Sequence, residues 1–494
     1  MVFLSLFALA EEPVTFTGPV PDDGVDFFTL SFEVPEGSAE IEVAHRSLGD
    51  GDILDWGLLA PSGFRGWGGG NTENAVVGEA AASRSYLAGP IEPGTWQVLV
   101  GKAKLVSDAP SYAVDVTVRD APTLAAEPLR RPYAEVDLGG GARWYAGDFH
   151  VHSLQSGDAS ASLDAIAAYA TGRGLDFVEI SDHNTTAALD WLGDAQDRWP
   201  AFLFVPGVEI TTYAGHANGI GLTMDVPFTM GWQGVDFAGT ATLVDAAGAV
   251  LSINHPVLDL GDVCIGCAWD HPVPSTLGAF EIATGGWDKA GQLFDELAIA
   301  QWDALCDDGP CPAALGGSDD HTAGTGTGPF DSPIGSPTTM VWAESLSPTD
   351  LLEGIRAGRT VVKLQGPEDP MIDLTAEGVV VTATVTGSVG TELHFVVDGE
   401  VADEVDVDAD PFVFSAEVSG ERVRAEVWVE DAPRTVTSHL FPEAEISEVP
   451  VEECGCGGGS PAGGMIVAAV ALGARRRGRV PPPGARGSSQ ARAT

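Results

Sequence analysis

Basic residues are the scarcest class in this 494-residue chain: 24 Lys plus Arg stand against 72 Asp plus Glu, a formal charge of −48. That deficit excludes nucleic acid and anionic lipid surfaces as partners, because neither is held without clustered cations that release counterions. The shortage is sharpest between Trp144 and Leu346, where Arg173, Arg198 and Lys289 are the only basic side chains. No long internal repeat is visible. What the chain does have is a 44% hydrophobic content, enough to build cores and to exclude wholesale disorder. Its length suggests about three domains. Sixty-two Gly and 33 Pro point to many turns and short strands rather than long helices.

Both ends read as addresses. Met1 to Ala10 (MVFLSLFALA) is apolar and ends on the small-residue site Ala8-Leu9-Ala10. A basic segment before the apolar run is missing, so residues 1–12 are expected to be a remnant of a secretory signal peptide. At the other end, Glu453-Cys454-Gly455-Cys456 leads through glycines to an apolar run, Met465 to Ala474, and then to Arg475-Arg476-Arg477-Gly478-Arg479. That run is shorter than the ~20 residues of a spanning helix. Residues 453–480 resemble the myxobacterial C-terminal sorting signal (MYXO-CTERM). The resemblance implies processing and anchoring at Cys454, hence export and attachment to the cell surface or outer membrane.

Between the ends lie three regions. Residues 13–122 alternate polar and apolar positions in short runs such as Phe27–Phe32, Trp96–Val100 and Tyr112–Val116. Period two with Gly and Pro between the runs is the pattern of an antiparallel β-sandwich. Residues 370–445 repeat the style, with Val379–Val385 and Leu393–Val397, and are expected to form a second, smaller sandwich. Residues 142–366 differ, with short apolar strands alternating with helical stretches as in a βα-repeat enzyme. Leu163–Thr171 reads as a helix stopped by glycines, Asp176–Ile180 as a strand, and Ser347-Pro348 as the cap of a further helix. The fold class is therefore α/β with flanking β-sandwiches.

The chemistry concentrates in the middle region. Asp148-Phe149-His150-Val151-His152 places two imidazoles on one face of an extended segment. Such a pair makes a poor core but a good set of ligands for a divalent metal. Then come Ser181-Asp182-His183-Asn184, Gly207-Val208-Glu209 with Gly215-His216 close after, Asn254-His255-Pro256, and Ser318-Asp319-Asp320-His321. A lone His is more often a hydrogen-bonded structural residue. Five groups, each with a ligand type where a strand finishes, converge on one rim if the strands run parallel. The expectation is a polynuclear metal site.

The order H-x-H, D-H-N, G-V-E-I with a following G-H, N-H-P and S-D-x-H resembles the PHP (polymerase and histidinol phosphatase) superfamily of metal-dependent hydrolases, most closely its secreted CehA/McbA-type branch. The resemblance covers Trp144 to about Leu364 and implies a distorted seven-stranded β/α barrel holding two or three divalent ions. Carried over residue by residue, it implies His150, His152, His183, His216, His255, Asp319 and His321 as ligands and Glu209 as a bridging carboxylate. Asp158 stands in the place of an additional ligand, although many relatives have the Asp before the Gly. His216 and Asp320 are the candidates for protonating a leaving group.

Two or three cations close together make water reactive near neutral pH and draw charge from an attacked oxygen, so no Ser or Cys nucleophile is needed. Imidazole-rich mixed sites suit zinc, manganese or iron. A small-molecule ester is the expected substrate. A phosphoester is the superfamily's usual one, and a carbamate or carboxylic ester is the alternative on the same metals. The dearth of Arg and Lys argues against highly phosphorylated ligands and leaves a monoanionic diester or neutral ester open. A surface binding module that has lost activity is the competing class, opposed by the complete ligand set.

Cys264-x2-Cys267 and Cys306-x4-Cys311 read as two disulfides given export, though four Cys allow three pairings. His271 matches no motif and reads as structural. The acidic run Val401 to Asp410 lacks the spacing of a calcium loop and reads as a solvated strand edge. Gly66-Trp67-Gly68-Gly69-Gly70 lacks the Lys and following helix of a phosphate loop and reads as a turn.

Overall fold

A computed structural model describes residues 12–442, except 128–129, 286–291, 329–330 and 431. The expected leader lies outside the described residues apart from Glu12, as does the whole expected sorting tail with Cys454. Lys289 also lies outside them. The described chain is mixed α/β, rich in sheet.

Eight strands come first: β1 (Val14–Pro19), β2 (Phe27–Val34), β3 (Glu40–Ser47), β4 (Ile53–Ala60), β5 (Gly63–Gly69), β6 (Ala75–Gly78), β7 (Gly94–Lys104) and β8 (Ser111–Arg119). They make two antiparallel sheets, in the orders β1-β8-β3-β6 and β2-β7-β4-β5. Alternation puts Trp96, Val98 and Val100 of β7 on one face, buried in a common core with Ile41, Val43, Val114 and Val116 of the other sheet. The glycine run expected as a turn is largely strand, since Gly66–Gly69 belong to β5 and pair with β4. Its lack of side chains serves a close approach: a Cβ on Gly157, in the loop carrying Asp158, would lie 2.5 Å from the Gly68 carbonyl oxygen.

The middle region contains β9 (Arg143–Asp148), α1 (Leu163–Gly172), β10 (Phe177–Ile180), α2 (Leu189–Arg198), β11 (Leu203–Thr212), β12 (Gly215–Ile220), α3 (Phe237–Ala246), β13 (Val250–Ile253), β14 (Leu277–Thr284), α4 (Gln292–Asp308), β15 (Ala313–Gly317), β16 (Thr338–Ala343), α5 (Pro348–Arg356) and β17 (Thr360–Lys363). The caps follow the sequence signals. Ser162 Oγ accepts from the Ala165 amide at 3.2 Å and opens α1. Ser347 Oγ accepts from the Asp350 amide at 3.1 Å and opens α5, with Pro348 at its first position. The last strands are β18 (Met371–Glu377), β19 (Val380–Thr386), β20 (Glu392–Val397), β21 (Glu400–Asp406), β22 (Phe412–Glu417), β23 (Val423–Val429) and β24 (Ala432–Thr437).

One 13-stranded sheet, β15-β14-β13-β12-β11-β10-β9-β16-β17-β24-β23-β20-β21, runs through the middle region into the C-terminal one. Just beyond the named strands a parallel bridge joins Val151, after β9, to Asp320, after β15, with the Asp319 amide donating to the His150 carbonyl at 2.9 Å and the His152 amide to the Asp320 carbonyl at 3.0 Å. Within the named strands β16 pairs with β9 on one side and β17 on the other, so the body of β15 has no ladder partner on its outer side. The row curls so that hydroxyls meet that edge. Thr339 Oγ1 accepts from the Gly316 amide at 2.8 Å, Ser438 Oγ accepts from the Ala314 amide at 2.8 Å, and Thr360 Oγ1 donates to the Ala314 carbonyl at 2.7 Å. These bonds satisfy backbone groups that would otherwise be buried without partners.

The strand row also departs from the parallel pattern. β9, β10 and β11 run parallel, as do β13, β14 and β15, but β12 is antiparallel to both its neighbours. Only Tyr213 and Ala214 join β11 to β12, and a parallel crossover needs a dozen residues or more.

In the C-terminal region the sheet β18-β19-β22 packs Ile372, Val381 and Val385 against Leu393, Phe395 and Val427 of the large sheet. β21 forms that sheet's outer edge with the acidic run largely exposed, a strand border that resists further pairing. The region is fastened to α4 through Asp303, which accepts from Arg424 Nη2 at 2.8 Å and Nε at 3.2 Å, and lies 3.0 Å from His439 Nε2. Burial raises the Asp303 pKa, but His439 and Arg424 outweigh it and bring the carboxyl from 3.8 down to about 2. A depressed folded-state pKa means the contribution is complete above about pH 4 and is lost as pH falls toward 2. Asp303→Ala is expected to cost about 2–4 kcal/mol in urea unfolding at pH 7, with the deficit shrinking below pH 4. A deficit that stays constant down to pH 2 would refute this.

Candidate metal centre

Glu209 of β11 has no exposed surface and sits at the centre of the histidine groups. Its Oε1 lies 3.3 Å from His150 Nε2, His216 Nδ1 and His255 Nε2. Its Oε2 lies 2.7 Å from His183 Nδ1 and 3.7 Å from His152 Nε2. The supporting strands explain this convergence. His150 and His152 follow β9 with period-two spacing, and His183 follows the neighbouring β10. His216 comes from β12, whose Asn218 is opposite Glu209 in the hairpin ladder. His255 and Asp319 follow β13 and β15.

Asp319 Oδ1 lies 3.0 Å from His152 Nε2 and 3.3 Å from His150 Nε2. Asp158 Oδ2 lies 3.3 Å from His183 Nε2 and 3.5 Å from His321 Nε2, on the exposed flank. All nine side chains expected as ligands thus lie in one cluster. His152, His183 and His321 offer one set of ring nitrogens, and His150, His255 and Asp319 another set of ligand atoms, each mutually within 4.8 Å.

The site fits divalent cations by its own chemistry. His150 Nε2, His152 Nε2, His216 Nδ1 and Asp319 Oδ1 are buried without a hydrogen-bond partner, a costly condition unless something electropositive completes them. Ligand atoms each about 2.1 Å from a shared ion are separated by about 3–3.4 Å, matching the contacts around Glu209 and Asp319. Two ligand positions hold left-handed backbone, His255 at φ 27° and Asp319 at φ 55°. For non-glycine residues that geometry costs on the order of 1–3 kcal/mol and concentrates at functional sites.

Burial disfavours the Glu209 carboxylate, but His150, His183 and His216 overcome it and hold its pKa well below normal. Burial likewise opposes the His150 cation, and the Asp319, Glu209 and Glu281 charges reverse that and raise it well above normal. Burial lowers His152 to about 3, with repulsion from His321 and His183 adding to it. His321 rises to about 9 against the burial penalty, through Asp158 and Asp319.

The two candidate acids, Asp320 and His216, differ in what they touch. Both Asp320 carboxylate oxygens are committed to its own turn, accepting from the Thr322 amide at 2.6 Å and the Gly324 amide at 2.7 Å. Its side chain closes a loop and is absent from the cavity lining. His216 faces Glu209 with Nδ1 and the Ile265 carbonyl with Nε2, at 3.4 Å, which fits a ligand rather than a mobile proton donor. His271 is structural as expected, 2.8 Å from Thr212 Oγ1 and stacked on Phe237. The cysteines pair locally, Cys264 with Cys267 and Cys306 with Cys311.

Several contributors were missed from sequence. Glu281 in β14 reaches His150 Nδ1 at 3.3 Å and accepts from the His255 amide at 2.6 Å, so it orients two of the clustered histidines. A carboxylate inside the apolar run Ala279-Phe280-Glu281-Ile282 was the available signal. Asn254 donates to Glu209 Oε1 at 3.0 Å and to Asn218 Oδ1 at 2.8 Å.

The cluster opens into a cavity of about 700 Å³. His183, His216, His255, Asp319 and His321 form part of its lining, and Leu258, Leu260, Val263, Ile265 and Phe294 give it an apolar side. The first eight strands supply the facing wall with Ile53, Asp55, Trp67 and Asn71. That contact is held by Tyr213, which donates to Asp55 Oδ2 at 2.7 Å and stacks on Phe27. No lysine or arginine lines the cavity among the described residues.

No family model and no curated protein matches the chain. Among solved structures, it is similar to a two-domain protein from Bacteroides vulgatus described as containing a predicted PHP-like metal-dependent phosphoesterase. Identity is 19% and the TM-score 0.36, over 64% of this chain and 100% of that one. It is also similar to an amidohydrolase from Chromobacterium violaceum, at 16% identity and a TM-score of 0.25, over 38% of this chain and 93% of that one. At these values the likeness is distant, and the chemistry of the site rests on its own converging imidazoles and carboxylates.

Proposed function

We propose that the chain is an exported metal-dependent hydrolase of the PHP superfamily, CehA/McbA-type branch, acting on a phosphoester. The observation that carries this reading is the set of buried, unpartnered ligand atoms around Glu209 and Asp319 at the base of a cavity. His150, His152, His216, His255, Glu209 and Asp319 would hold ions on the buried side, and His183, His321 and Asp158 on the open side. Bound divalent cations would acidify a water and polarise the ester oxygen. The chain's own part is positional. Glu209 joins the two sides, Asn254 fixes its Oε1, and Glu281 aims His150. On this reading β9 to β15 are the superfamily's distorted barrel.

The cavity's lack of cationic side chains favours a monoanionic diester over a dianionic monoester, since no Arg fork awaits the second charge. A second reading, a carbamate or carboxylic ester, draws support from the apolar side around Leu258 and Ile265. The two local disulfides support export, and Cys454 would provide surface attachment.

The test compares bis-p-nitrophenyl phosphate, p-nitrophenyl phosphate, p-nitrophenyl acetate and 1-naphthyl methylcarbamate, with and without Mn²⁺ or Zn²⁺. We expect metal-dependent turnover with the diester at least ~10-fold ahead of the monoester in kcat/KM. Turnover of the carbonyl esters alone would select the second reading. No turnover of any of them by metal-loaded protein would favour a binding module.

A further inference from the structure

The segment between β13 and β14 carries the Cys264–Cys267 disulfide, which joins residues three apart. Its backbone touches the outer nitrogens of two ligands. His216 Nε2 lies 3.4 Å from the Ile265 carbonyl oxygen, and His255 Nδ1 lies 3.3 Å from the Cys267 carbonyl oxygen. A carbonyl oxygen can only accept, so each of those nitrogens carries the ring proton. In the neutral rings that can take a cation, the opposite nitrogens, His216 Nδ1 and His255 Nε2, are the free ones, and both lie 3.3 Å from Glu209 Oε1.

The turn is seated firmly. Gly266 has φ +78°, and a Cβ there would lie 2.4 Å from the Thr212 carbonyl oxygen. Cys267 is buried, the Trp269 amide donates to the Pro256 carbonyl at 2.9 Å, and the Asp270 amide donates to the Ala214 carbonyl at 2.8 Å. A long connection between strands would otherwise be the least fixed part of the cavity wall.

We propose that the disulfide-closed turn Cys264–Cys267 is a positioning element for the metal centre, whose Ile265 and Cys267 carbonyls hold His216 and His255 in the tautomers that present free nitrogens beside Glu209. The inference rests on the metal-centre reading. The other disulfide, Cys306–Cys311, lies at the end of α4 and serves as the internal comparator. Loss of an outer hydrogen bond to a ligating imidazole typically weakens metal affinity 10–100-fold, so the turn matters at that scale.

The experiment uses the full chain with Zn²⁺ and Co²⁺. The C264A/C267A protein is compared with wild type and C306A/C311A by chelator competition for Zn²⁺ and by the visible spectrum of the Co²⁺-loaded form, with circular dichroism as the folding check. The expected result is a ~10–100-fold weaker Zn²⁺ site and an altered Co²⁺ spectrum in C264A/C267A alone. Affinity within twofold of wild type with an unchanged spectrum would overturn the proposal. Gly266→Ala keeps the disulfide while displacing the turn, and is expected to shift both readouts in the same direction. It decides the matter if C264A/C267A does not fold. Wild-type protein that binds neither ion sinks the metal-centre reading itself, a result distinct from failure of this one.

Discussion

Glu209→Gln is expected to remove metal-dependent turnover by at least ~10³-fold and to empty part of the metal site. The substitution keeps size and shape but deletes the charge that faces five imidazoles within 3.7 Å. The same change separates binding from mere activity loss. Saturating metal stabilises a folded protein by about 4 kcal/mol when its concentration is 1,000 times Kd. Wild type should therefore show a clear rise in Tm with Zn²⁺ or Mn²⁺, and Glu209→Gln little or none. Metal content by elemental analysis equal to wild type, with an unchanged Tm shift, would remove Glu209 from the centre.

Asp148→Ala is expected to be the most destabilising single change near the site, about 3–5 kcal/mol by urea unfolding. The Asp148 carboxylate has no exposed surface and accepts from the amides of His150 at 3.1 Å, Ser318 at 3.0 Å and Gly335 at 2.7 Å. It therefore ties the end of β9, which launches His150 and His152, to the end of β15, which launches Asp319. Alanine leaves three amides without their acceptor, whereas Asp148→Asn keeps one acceptor oxygen and should cost roughly half as much. Burial raises the Asp148 pKa to about 6 against the opposing amides. The folded state then binds this proton more tightly than the unfolded chain, so wild-type stability falls as pH rises from about 4 through 6. Asp148→Asn should lack that component. A loss below 1 kcal/mol for the alanine variant would show that the two strand ends do not depend on this carboxylate.

The clustering of these residues was readable because each lies in or near a strand beside a recognisable neighbour, and imidazole pairs such as His150 and His152 have few other uses. The supporting groups were less readable. Glu281 looks like any acid in a strand until β14 is seen next to β13, where its two oxygens reach His150 and the His255 amide. Asp320 was a plausible acid by position, and only the amides of Thr322 and Gly324 reveal its role as a turn brace. The sandwich pattern of the first strands could be read from period two. That Trp67 and Asp55 would wall a cavity whose ligands begin at His150 could not, because the adjacency is tertiary. Closure of the strand row was hidden for a similar reason, since Thr339, Thr360 and Ser438 are ordinary hydroxyl residues until β15 lies beside them.

The glycine-lined face of β5 and its neighbours has a wider consequence. Because Trp67, Asn71, Ile53 and Asp55 belong to the leading module while the imidazoles do not, the two walls of the cavity are written on separate stretches of polypeptide. The middle region cut free of the first 120 or so residues would keep its imidazole cluster, yet lose one side of the mould.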